Sequence, residues 1–344
     1  MKTFKIGTRI ISSGVAPFII ADAGINHDGD FNKAIQLVDA AKEAGADCIK
    51  FQCHITEAEL IYTDIKPGYI SEESLWDITK RIELTEDEDR RIKRYCEEKG
   101  IIYLSTPFSK EAADRLESMN VGAFKIGSGE CNNLPLLGHI AKIGKPMILS
   151  TGMNDIESIK KSVAVIQSHN CPLMLMHCTS IYPTAYDKVR LGAITELQEV
   201  FGLPVGLSDH SMGIYTSLGA VALGVCVLEK HFTISRNWPG PDVPISIEPD
   251  ELVELIKGSR AIFSALGGHK TVLPEEQPVM EFAFASVVST KDIKKGSILN
   301  VDNIWVKKPG TGEISAEKLN SIIGNTARED IKKGQQLTWM MIND

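Results

Sequence analysis

The sequence predicts a (β/α)8 barrel followed by a small β-rich domain. Short apolar, β-branched runs recur along most of the chain, and longer segments with helical periodicity separate them. Apolar runs of this length are typical of strands buried on both faces, and their alternation with helices indicates a parallel sheet. Eight such units favour a closed barrel, and the absence of a GxGxxG motif after the first run disfavours a dinucleotide-binding fold. The eight runs are residues 18–24, 48–52, 101–107, 123–128, 146–152, 172–179, 203–210 and 226–233.

Helical patterns fill the intervals, most clearly at residues 32–44, 111–119, 156–166 and 249–266. The barrel is therefore expected to occupy residues 1–266. A segment rich in glycine, proline and charge follows it, and we assign residues 267–283 to a linker. Residues 284–344 are expected to form the second domain, in which DIKKG occurs twice, at 292–296 and 330–334. Two copies of this turn signal between apolar runs indicate an internal pseudo-repeat.

Composition argues against several classes of protein. Hydrophobic residues make up 43% of the 344 positions and charged residues 24%, which is ordinary for a globular protein. The net charge of −8 and the lack of a basic cluster argue against nucleic acid or an anionic membrane as the partner. Seven scattered cysteines without a CxxC pair indicate reduced thiols, and there is neither a signal peptide nor an apolar run long enough to span a membrane. We expect a cytoplasmic protein.

Polar side chains stand at the ends of the predicted strands, where barrels of this kind build their active sites. Lys50 and Lys125 are the most informative of them, since a buried lysine is costly unless it meets an anion. Hydroxyl residues occupy similar positions, namely Thr106, Ser128, Ser150 and Ser208. Together these side chains would suit a phosphate and a carboxylate. Any one hydroxyl could instead cap a helix, and either lysine could form a Schiff base with a carbonyl substrate.

His210 and His231 close the seventh and eighth predicted strands, which are neighbours in a barrel. Neighbouring strands lie about 5 Å apart, so both imidazoles could reach one cation above the barrel mouth. A lone histidine on a strand is more often structural, but two at matched positions favour a metal site. Two imidazoles with additional oxygen ligands would suit Mn²⁺, Mg²⁺, Co²⁺ or Zn²⁺.

Acidic side chains near the same strand ends would be costly there without a role. Asp22, Glu130 and Asp242 could hydrogen-bond the hydroxyl groups of a ligand or transfer a proton to or from a reacting group. Tyr182 and Asp242 belong to two turn-prone loops that contain proline, YPT at 182–184 and PGPD at 239–242. Such loops beside strand ends are well placed to shape a pocket.

In these and further motifs the chain resembles the sialic acid (N-acetylneuraminate) synthases and their relatives that make legionaminic and pseudaminic acids. The similarity covers nearly the whole chain in order. The motifs are GINHDG (24–29), KFQ (50–52), LSTPFS (104–109), FKIGSGECNNLPLL (124–137), LSTGM (149–153), HCTSIYPT (177–184), GLSDHS (206–211), EKHFT (229–233), PGPD (239–242), FAFASVV (282–288), DIKKG (292–296) and WVKKPG (305–310).

The resemblance implies a barrel followed by an antifreeze-like (SAF) domain, which is exchanged between the subunits of a homodimer and covers the partner's site. It implies the condensation of phosphoenolpyruvate with N-acetylmannosamine or a related N-acetylated hexose, with release of phosphate. A divalent cation would be held by His210 and His231 and would polarise the sugar aldehyde. Mn²⁺ is the first choice for this cation, and Mg²⁺ or Co²⁺ are alternatives.

Roles for single residues also follow from the resemblance. The two lysines and four hydroxyl residues described above would hold phosphoenolpyruvate. The expected catalytic residues are Asp22, Lys50, Gln52 and Lys125. The expected sugar-binding residues are Asp22, Tyr69, Glu130, Ser180, Tyr182, Asp242 and Lys308, of which Lys308 would reach the partner's site. Four positions differ from the residues that are usual in the N-acetylneuraminate enzymes. They are Asp22 in place of Glu, Tyr69 in place of Asn, Ser180 in place of Asn and Lys308 in place of Arg. A 6-deoxy diacetamido sugar is therefore the alternative acceptor.

Two other functions remain open from the residues alone. A Schiff-base aldolase on the same barrel would need a lysine placed to meet a carbonyl and no metal, which the histidine pair and the C-terminal domain disfavour. A non-catalytic carbohydrate-binding barrel would be expected to have lost its metal and anion positions, and this chain keeps them.

Overall fold

The computed structural model describes residues 4–7, 9–68 and 71–343. Contacts within the chain divide it into two compact units, Met1–Gly267 and Gly268–Asp344. The division falls at the beginning of the segment that the sequence assigns to a linker. Part of that segment is ordered: a 3-10 turn spans Pro274–Glu276, and a helix follows it at Gln277–Ala283.

An eight-stranded parallel sheet forms the centre of the first unit, and two short antiparallel strands, β1 (Phe4–Ile6) and β2 (Arg9–Ile11), precede it. The eight strands are β3 (Phe18–Gly24), β4 (Cys48–Cys53), β5 (Ile102–Pro107), β6 (Phe124–Ile126), β7 (Met147–Ser150), β8 (Leu173–Cys178), β9 (Val205–Asp209) and β10 (Val227–His231). They lie in the order β5-β4-β3-β10-β9-β8-β7-β6, and the end strands β5 and β6 contact each other. The sheet is therefore nearly closed into a barrel, and the predicted fold class is confirmed.

Helices surround the sheet and alternate with its strands. They are α1 (Phe31–Ala44), α2 (Thr56–Glu59), α3 (Leu75–Ile82), α4 (Glu86–Lys99), α5 (Lys110–Ser118), α6 (Leu134–Ile143), α7 (Ile156–Ser168), α8 (Tyr186–Val189), α9 (Gly192–Phe201), α10 (Tyr215–Ala222) and α11 (Pro249–Ala265). Side-chain caps explain where several helices begin. At α1 the Asp30 side chain accepts from Asn32 N, and at α4 Thr85 forms a capping box with Glu88. Within the described parts of the chain, no helix is long and apolar enough to cross a membrane.

The barrel has two apolar layers, one on each side of the sheet. Outward-facing residues such as Ile49 and Leu207 pack against the helices in the larger core. Inward-facing residues such as Ile20, Leu104 and Ile148 fill the barrel itself, together with Phe4 of β1. All seven cysteines are buried and free, and every one except Cys178 belongs to one of these layers as a small apolar side chain.

Strand register brings the polar ends of neighbouring strands to one level. Residues paired across parallel strands point to the same side of the sheet. Asp22 is paired with Lys50 of β4 on one side and with His231 of β10 on the other. Ser208 is paired in the same way with Glu229 and with Cys178. These side chains therefore share the inner face of the barrel, above its apolar filling.

The second unit has its own apolar core, which includes Val287, Ile304 and Leu337. Its remaining elements are α12 (Gln277–Ala283), β11 (Ser286–Ser289), β12 (Ile304–Lys307), α13 (Leu319–Ile322), β13 (Thr326–Ala327) and β14 (Ile342–Asn343). β11 pairs with β12, and β13 pairs with β14, both antiparallel. The small β-rich domain that the sequence predicts is therefore present.

The two DIKKG copies of this unit bind each other reciprocally. Ile293 N donates to Ile331 O at 2.9 Å, and Ile331 N donates to Ile293 O at 2.8 Å. Lys295 N donates to a carboxylate oxygen of Asp330 at 2.9 Å, while Lys333 N donates to Asp292 at 2.8 Å. The sequence repeat therefore corresponds to a local pseudo-twofold arrangement.

Candidate active site

A cavity of about 590 Å³ opens at the carboxyl ends of the barrel strands. Nearly all of the residues that the sequence singled out line it: Asp22, Lys50, Gln52, Thr106, Lys125, Ser128, Glu130, Ser150, Ser180, Tyr182, Ser208, His210, His231 and Asp242. Tyr69 lies outside the described residues. Lys308 belongs to the C-terminal unit, where it follows β12 and is exposed.

Two buried lysines form ion pairs at the base of the cavity. Lys50 Nζ lies 2.8 Å from Asp22 Oδ2, and Lys125 Nζ lies 3.0 Å from Glu229 Oε1. Both lysines are 3% exposed. Burial would lower the pKa of Lys50, but the carboxylates of Asp22 and Glu229 outweigh it and raise that pKa above 10.5. The base of the cavity therefore holds two ammonium groups in fixed positions.

Hydroxyl groups complete the surroundings of Lys125. Its ammonium donates to Ser150 Oγ at 2.8 Å, and Ser208 Oγ donates to Glu229 Oε1 at 2.9 Å. Ser128 Oγ accepts from Gly152 N at 3.0 Å. A Cβ at position 152 would lie 2.8 Å from that same oxygen, so the glycine allows the end of β7 to approach it closely. These groups can together bind the oxygens of an anion.

Asp22 is held between Lys50 and His231. Its Oδ1 accepts from Gly24 N at 2.9 Å, while its Oδ2 meets Lys50 and lies 3.8 Å from His231 Nδ1. Burial would raise the pKa of Asp22, but the positive charge of Lys50, followed by the nearby His231, lowers it below 3.8. This carboxylate is therefore ionised and well fixed.

His210 and His231 lie side by side at the mouth, with ring centroids 5.3 Å apart. The ring of Tyr182 packs 4.3 Å from that of His210. His210 Nδ1 donates to Thr179 O at 2.9 Å, so the other ring nitrogen is an acceptor whenever the ring is neutral. His231 Nδ1 is buried without a hydrogen-bond partner among the described residues, and the carboxylates of Asp22 and Asp242 each lie 3.8 Å from it.

This donor set fits a divalent cation that takes part of its coordination from outside the chain. Among the described residues, no group of three or more His, Cys, Asp or Glu side chains converges as a closed metal site. Two imidazoles with open positions are typical of catalytic rather than structural cations. Burial lowers the pKa of His231, which keeps its ring neutral as a ligand must be. At His210, burial is outweighed by Cys178 and the Thr179 carbonyl, which raise the pKa to about 9, so a cation would compete with a proton.

The rim of the cavity is polar on one side and apolar on the other. Glu130 accepts from Asn133 Nδ2 at 2.6 Å, and Ser180 Oγ is buried without a partner in the described part of the chain. Opposite them, Ile25, Ile78 and Ile82 form a small buried cluster that lines the cavity. The site therefore offers both hydrogen-bonding and apolar surfaces to a ligand.

Some lining residues received no role from the sequence. Glu229 belongs to the motif EKHFT, and its alternation with His231 along the strand places both on one face. Its pairing with Lys125 depends on a strand four places away in the sheet. His54 and Glu59 also line the cavity. They lie in the loop after β4, where no periodicity indicates which side chains will meet.

Comparison with known proteins gives one family match for each of the two units of the chain. The model of the NeuB family matches residues 37–271, and that of the SAF domain matches residues 284–343. An uncharacterised protein of Methanocaldococcus jannaschii is 42% identical over 342 residues, which cover 98% of each chain. The N,N'-diacetyllegionaminic acid synthase of Campylobacter jejuni is 39% identical and covers 92% of this chain and 97% of its own.

A solved structure resembles the chain both in sequence and in fold. It is the N-acetylneuraminic acid synthetase of Leptospira borgpetersenii in complex with citrate, which is 33% identical. The match has a TM-score of 0.74 and covers 81% of this chain and 95% of that one. The resemblance found in the motifs thus extends to whole sequences and to three-dimensional structure.

Proposed function

The chain belongs to the NeuB family, that of the sialic acid synthases and their relatives, and on this premise we propose that it condenses phosphoenolpyruvate with an N-acetylated hexose. The base of the cavity is the observation that carries the proposal. Lys50 and Lys125 are buried and fixed there, and serine and threonine hydroxyls surround them. Two cations with convergent hydroxyls suit a small molecule that carries a phosphate and a carboxylate.

The reaction would form one carbon–carbon bond and replace the carbon–oxygen bond between C2 and the phosphate by one between C2 and the oxygen of water. C3 of phosphoenolpyruvate bonds to the aldehyde carbon of the open-chain sugar, whose oxygen gains a proton. Water then adds to C2, and phosphate leaves from C2, so that a keto acid remains. Lys50 and Lys125 would hold the anionic donor throughout, and Asp22 would keep Lys50 in position.

We assign the cation site to His210 and His231, with Mn²⁺ as the first choice and Mg²⁺ or Co²⁺ as alternatives. A cation held there would supply Lewis-acid polarisation of the sugar aldehyde. The carboxylates of Asp22 and Asp242, each 3.8 Å from His231 Nδ1, are placed to orient that ring. Glu130, Ser180, Tyr182 and Asp242 would bind the hydroxyl and acetamido groups of the acceptor.

N-acetylmannosamine is our first choice of acceptor, and a 6-deoxy diacetamido hexose is the second. The apolar cluster of Ile25, Ile78 and Ile82 favours the second candidate, because it offers a surface for a methyl group. The comparison with the legionaminic acid synthase of C. jejuni agrees with this candidate. We further propose a homodimer in which the C-terminal unit covers the partner's cavity, with Lys308 reaching the acceptor there. Tyr69 stays a proposed sugar-binding residue.

The experiment measures phosphate release from phosphoenolpyruvate with Mn²⁺ and a panel of acceptors, with mass spectrometry of the products. The panel contains N-acetylmannosamine, its 6-phosphate and 6-deoxy diacetamido hexoses. We expect release that requires both a sugar and a cation, and a nonulosonic acid as product. Absence of release with every acceptor would overturn the proposal.

Variants and trapping separate the rival functions. Chelation should abolish turnover, and the double substitution His210→Ala/His231→Ala should do the same while leaving the fold intact by circular dichroism. Full activity in either case would remove the metal from the proposal. Borohydride reduction with substrate should leave the protein mass unchanged, because covalent labelling of a lysine would identify a Schiff-base aldolase instead.

A further inference from the structure

His54 connects Glu59 to Gln52 at the rim of the cavity. His54 Nδ1 lies 3.0 Å and 2.9 Å from the two carboxylate oxygens of Glu59. On the other side of the ring, Nε2 lies 2.9 Å from the Gln52 side-chain amide. The side chains of His54 and Glu59 are 9% and 8% exposed. The three side chains therefore form one shielded hydrogen-bonded chain that ends on Gln52.

The direction of the first hydrogen bond follows from chemistry. An ionised carboxylate only accepts, so His54 Nδ1 carries a proton and donates it to Glu59. The state of Nε2 then determines which end of the amide faces the ring: the oxygen if Nε2 carries a proton, and the NH2 group if it does not. In either arrangement, one end of the amide is held by His54 and the other end is left for the cavity.

The ring that makes this connection is itself fixed. His54 stacks on Phe108 with centroids 4.4 Å apart and planes inclined by 9°. Glu59 ends the single turn of α2, and Thr56 at the beginning of that turn donates through both N and Oγ1 to Glu83. Supports of this kind keep a polar group in one orientation before a ligand arrives.

Gln52 stands above the cationic base of the cavity. It follows Lys50 by two positions on the same face of β4, so its Cα lies about 6.6 Å nearer the barrel mouth. An acceptor must approach a donor bound on the lysines from that side. A sugar hydroxyl can both donate and accept, so an amide that presents a single defined end can select how the hydroxyl is oriented.

We propose that Glu59 and His54 are positioning residues, which fix the Gln52 amide so that it presents one end to the sugar acceptor. Without them the amide could rotate, because its two ends are nearly equal in shape. The inference rests on the proposed condensation and adds the group that would orient its second substrate. Gln52 is then the residue that touches the sugar, and the other two act through it.

Glu59→Gln tests the hydrogen bond between Glu59 and His54, and Glu57→Gln is its matched control. Glu57 lies on the same turn, but its side chain is 78% exposed and its carboxylate lies 3.8 Å from Lys80 Nζ. In Glu59→Gln we expect kcat/KM for the sugar to fall about tenfold or more, as for other residues that orient a ligand-binding group. KM for phosphoenolpyruvate and the melting temperature should stay those of the wild type. Glu57→Gln should match the wild type in every measurement.

A double-mutant cycle distinguishes positioning from a structural role. If Glu59 acts through the amide, Gln52→Ala/Glu59→Gln should be no worse than Gln52→Ala alone. His54→Phe, which keeps a ring against Phe108 but removes both hydrogen bonds, should reproduce the defect of Glu59→Gln. Additive losses, an equal effect on both substrates, or a Glu59→Gln enzyme with wild-type kinetics would each overturn the inference. An inactive wild-type enzyme would instead overturn the proposed function, so the two failures are distinguishable.

Discussion

Asp209 and Lys230 are paired directly across β9 and β10, and each stands one position before a site histidine. Lys230 Nζ lies 3.3 Å from Asp209 Oδ2, and the two side chains are 1% or less exposed. Asp209 also accepts from Ser211 N and from the hydroxyls of Thr216 and Ser217. Because side chains alternate along a strand, this pair faces outward while His210 and His231 face the cavity. The ion pair therefore connects the two histidine-bearing strands on the outer face of the sheet, away from the cavity.

Breaking this pair should destabilise the barrel strongly. In Lys230→Met the Asp209 carboxylate stays buried without its cation, which for buried pairs costs about 3–5 kcal/mol. We expect a loss of this size in the free energy of unfolding of the barrel in urea. Lys294→Met is the control, since Lys294 and Asp330 form an exposed pair whose loss should leave the melting temperature almost unchanged. Equal effects of the two substitutions would contradict this view.

Stability should fall as pH is lowered below neutrality, partly because of His27. Burial, followed by the nearby His54, lowers the pKa of His27 from 6.5 to about 4. The unfolded chain therefore takes up a proton between these values that the folded chain does not, so stability is greatest above 6.5 and is lost as pH falls toward 4. Between pH 7 and pH 5 this amounts to about 2 kcal/mol.

His27→Asn tests this contribution. Its side-chain oxygen can still accept from Gly29 N, as His27 Nδ1 does at 3.1 Å, but it does not titrate. Urea unfolding of both proteins at several pH values gives the free energy of unfolding as a function of pH. Between pH 7 and pH 5 the slope of this function should be smaller for the variant, by the uptake of about one proton. Parallel curves would show that His27 is not the group responsible.

Lys125 should be needed for turnover, and Glu229 should explain part of the cost of removing it. Lys125→Met takes away one of the two cations at the base of the cavity, and we expect kcat/KM for phosphoenolpyruvate to fall by about 100-fold or more. The substitution also leaves Glu229 buried without its partner. Adding Glu229→Gln should therefore recover stability, measured as melting temperature, without recovering activity. Recovery of both would mean that Lys125 has only a structural role.

The pseudo-repeat of the C-terminal unit predicts equivalent effects at equivalent positions. Ile293 and Ile331 are 3% and 1% exposed, and they bind each other through their backbones. Ile293→Ala and Ile331→Ala should each cost about 2–5 kcal/mol in the unfolding of this unit, because each leaves a cavity in the same core. Ile298→Ala, at a position that is 59% exposed, should have little effect. A large difference between the stability losses of Ile293→Ala and Ile331→Ala would show that the two repeat positions do not contribute equally to the core.

The architecture and most of the site could be predicted from the sequence because both depend on periodic patterns. Apolar runs that alternate with helical segments determine a barrel, and a barrel brings every strand end to one mouth. Lys50, Ser208 and His231 could therefore be placed together without knowing any contact between them. The extra helices α2, α3 and α8, which lie in the strand-to-helix loops, follow no such pattern and were not predicted.

What the sequence by itself determined is the inventory of the site: cations, hydroxyls, carboxylates and two imidazoles at the mouth of a barrel. Only the tertiary structure decided the pairing among them, namely Lys50 with Asp22, Lys125 with Glu229, and Glu59 with Gln52 through His54. Pairing depends on distances of about 3 Å between side chains that are far apart in the chain or lie in irregular loops. Strand register and loop conformation set those distances, and residue spacing carries neither.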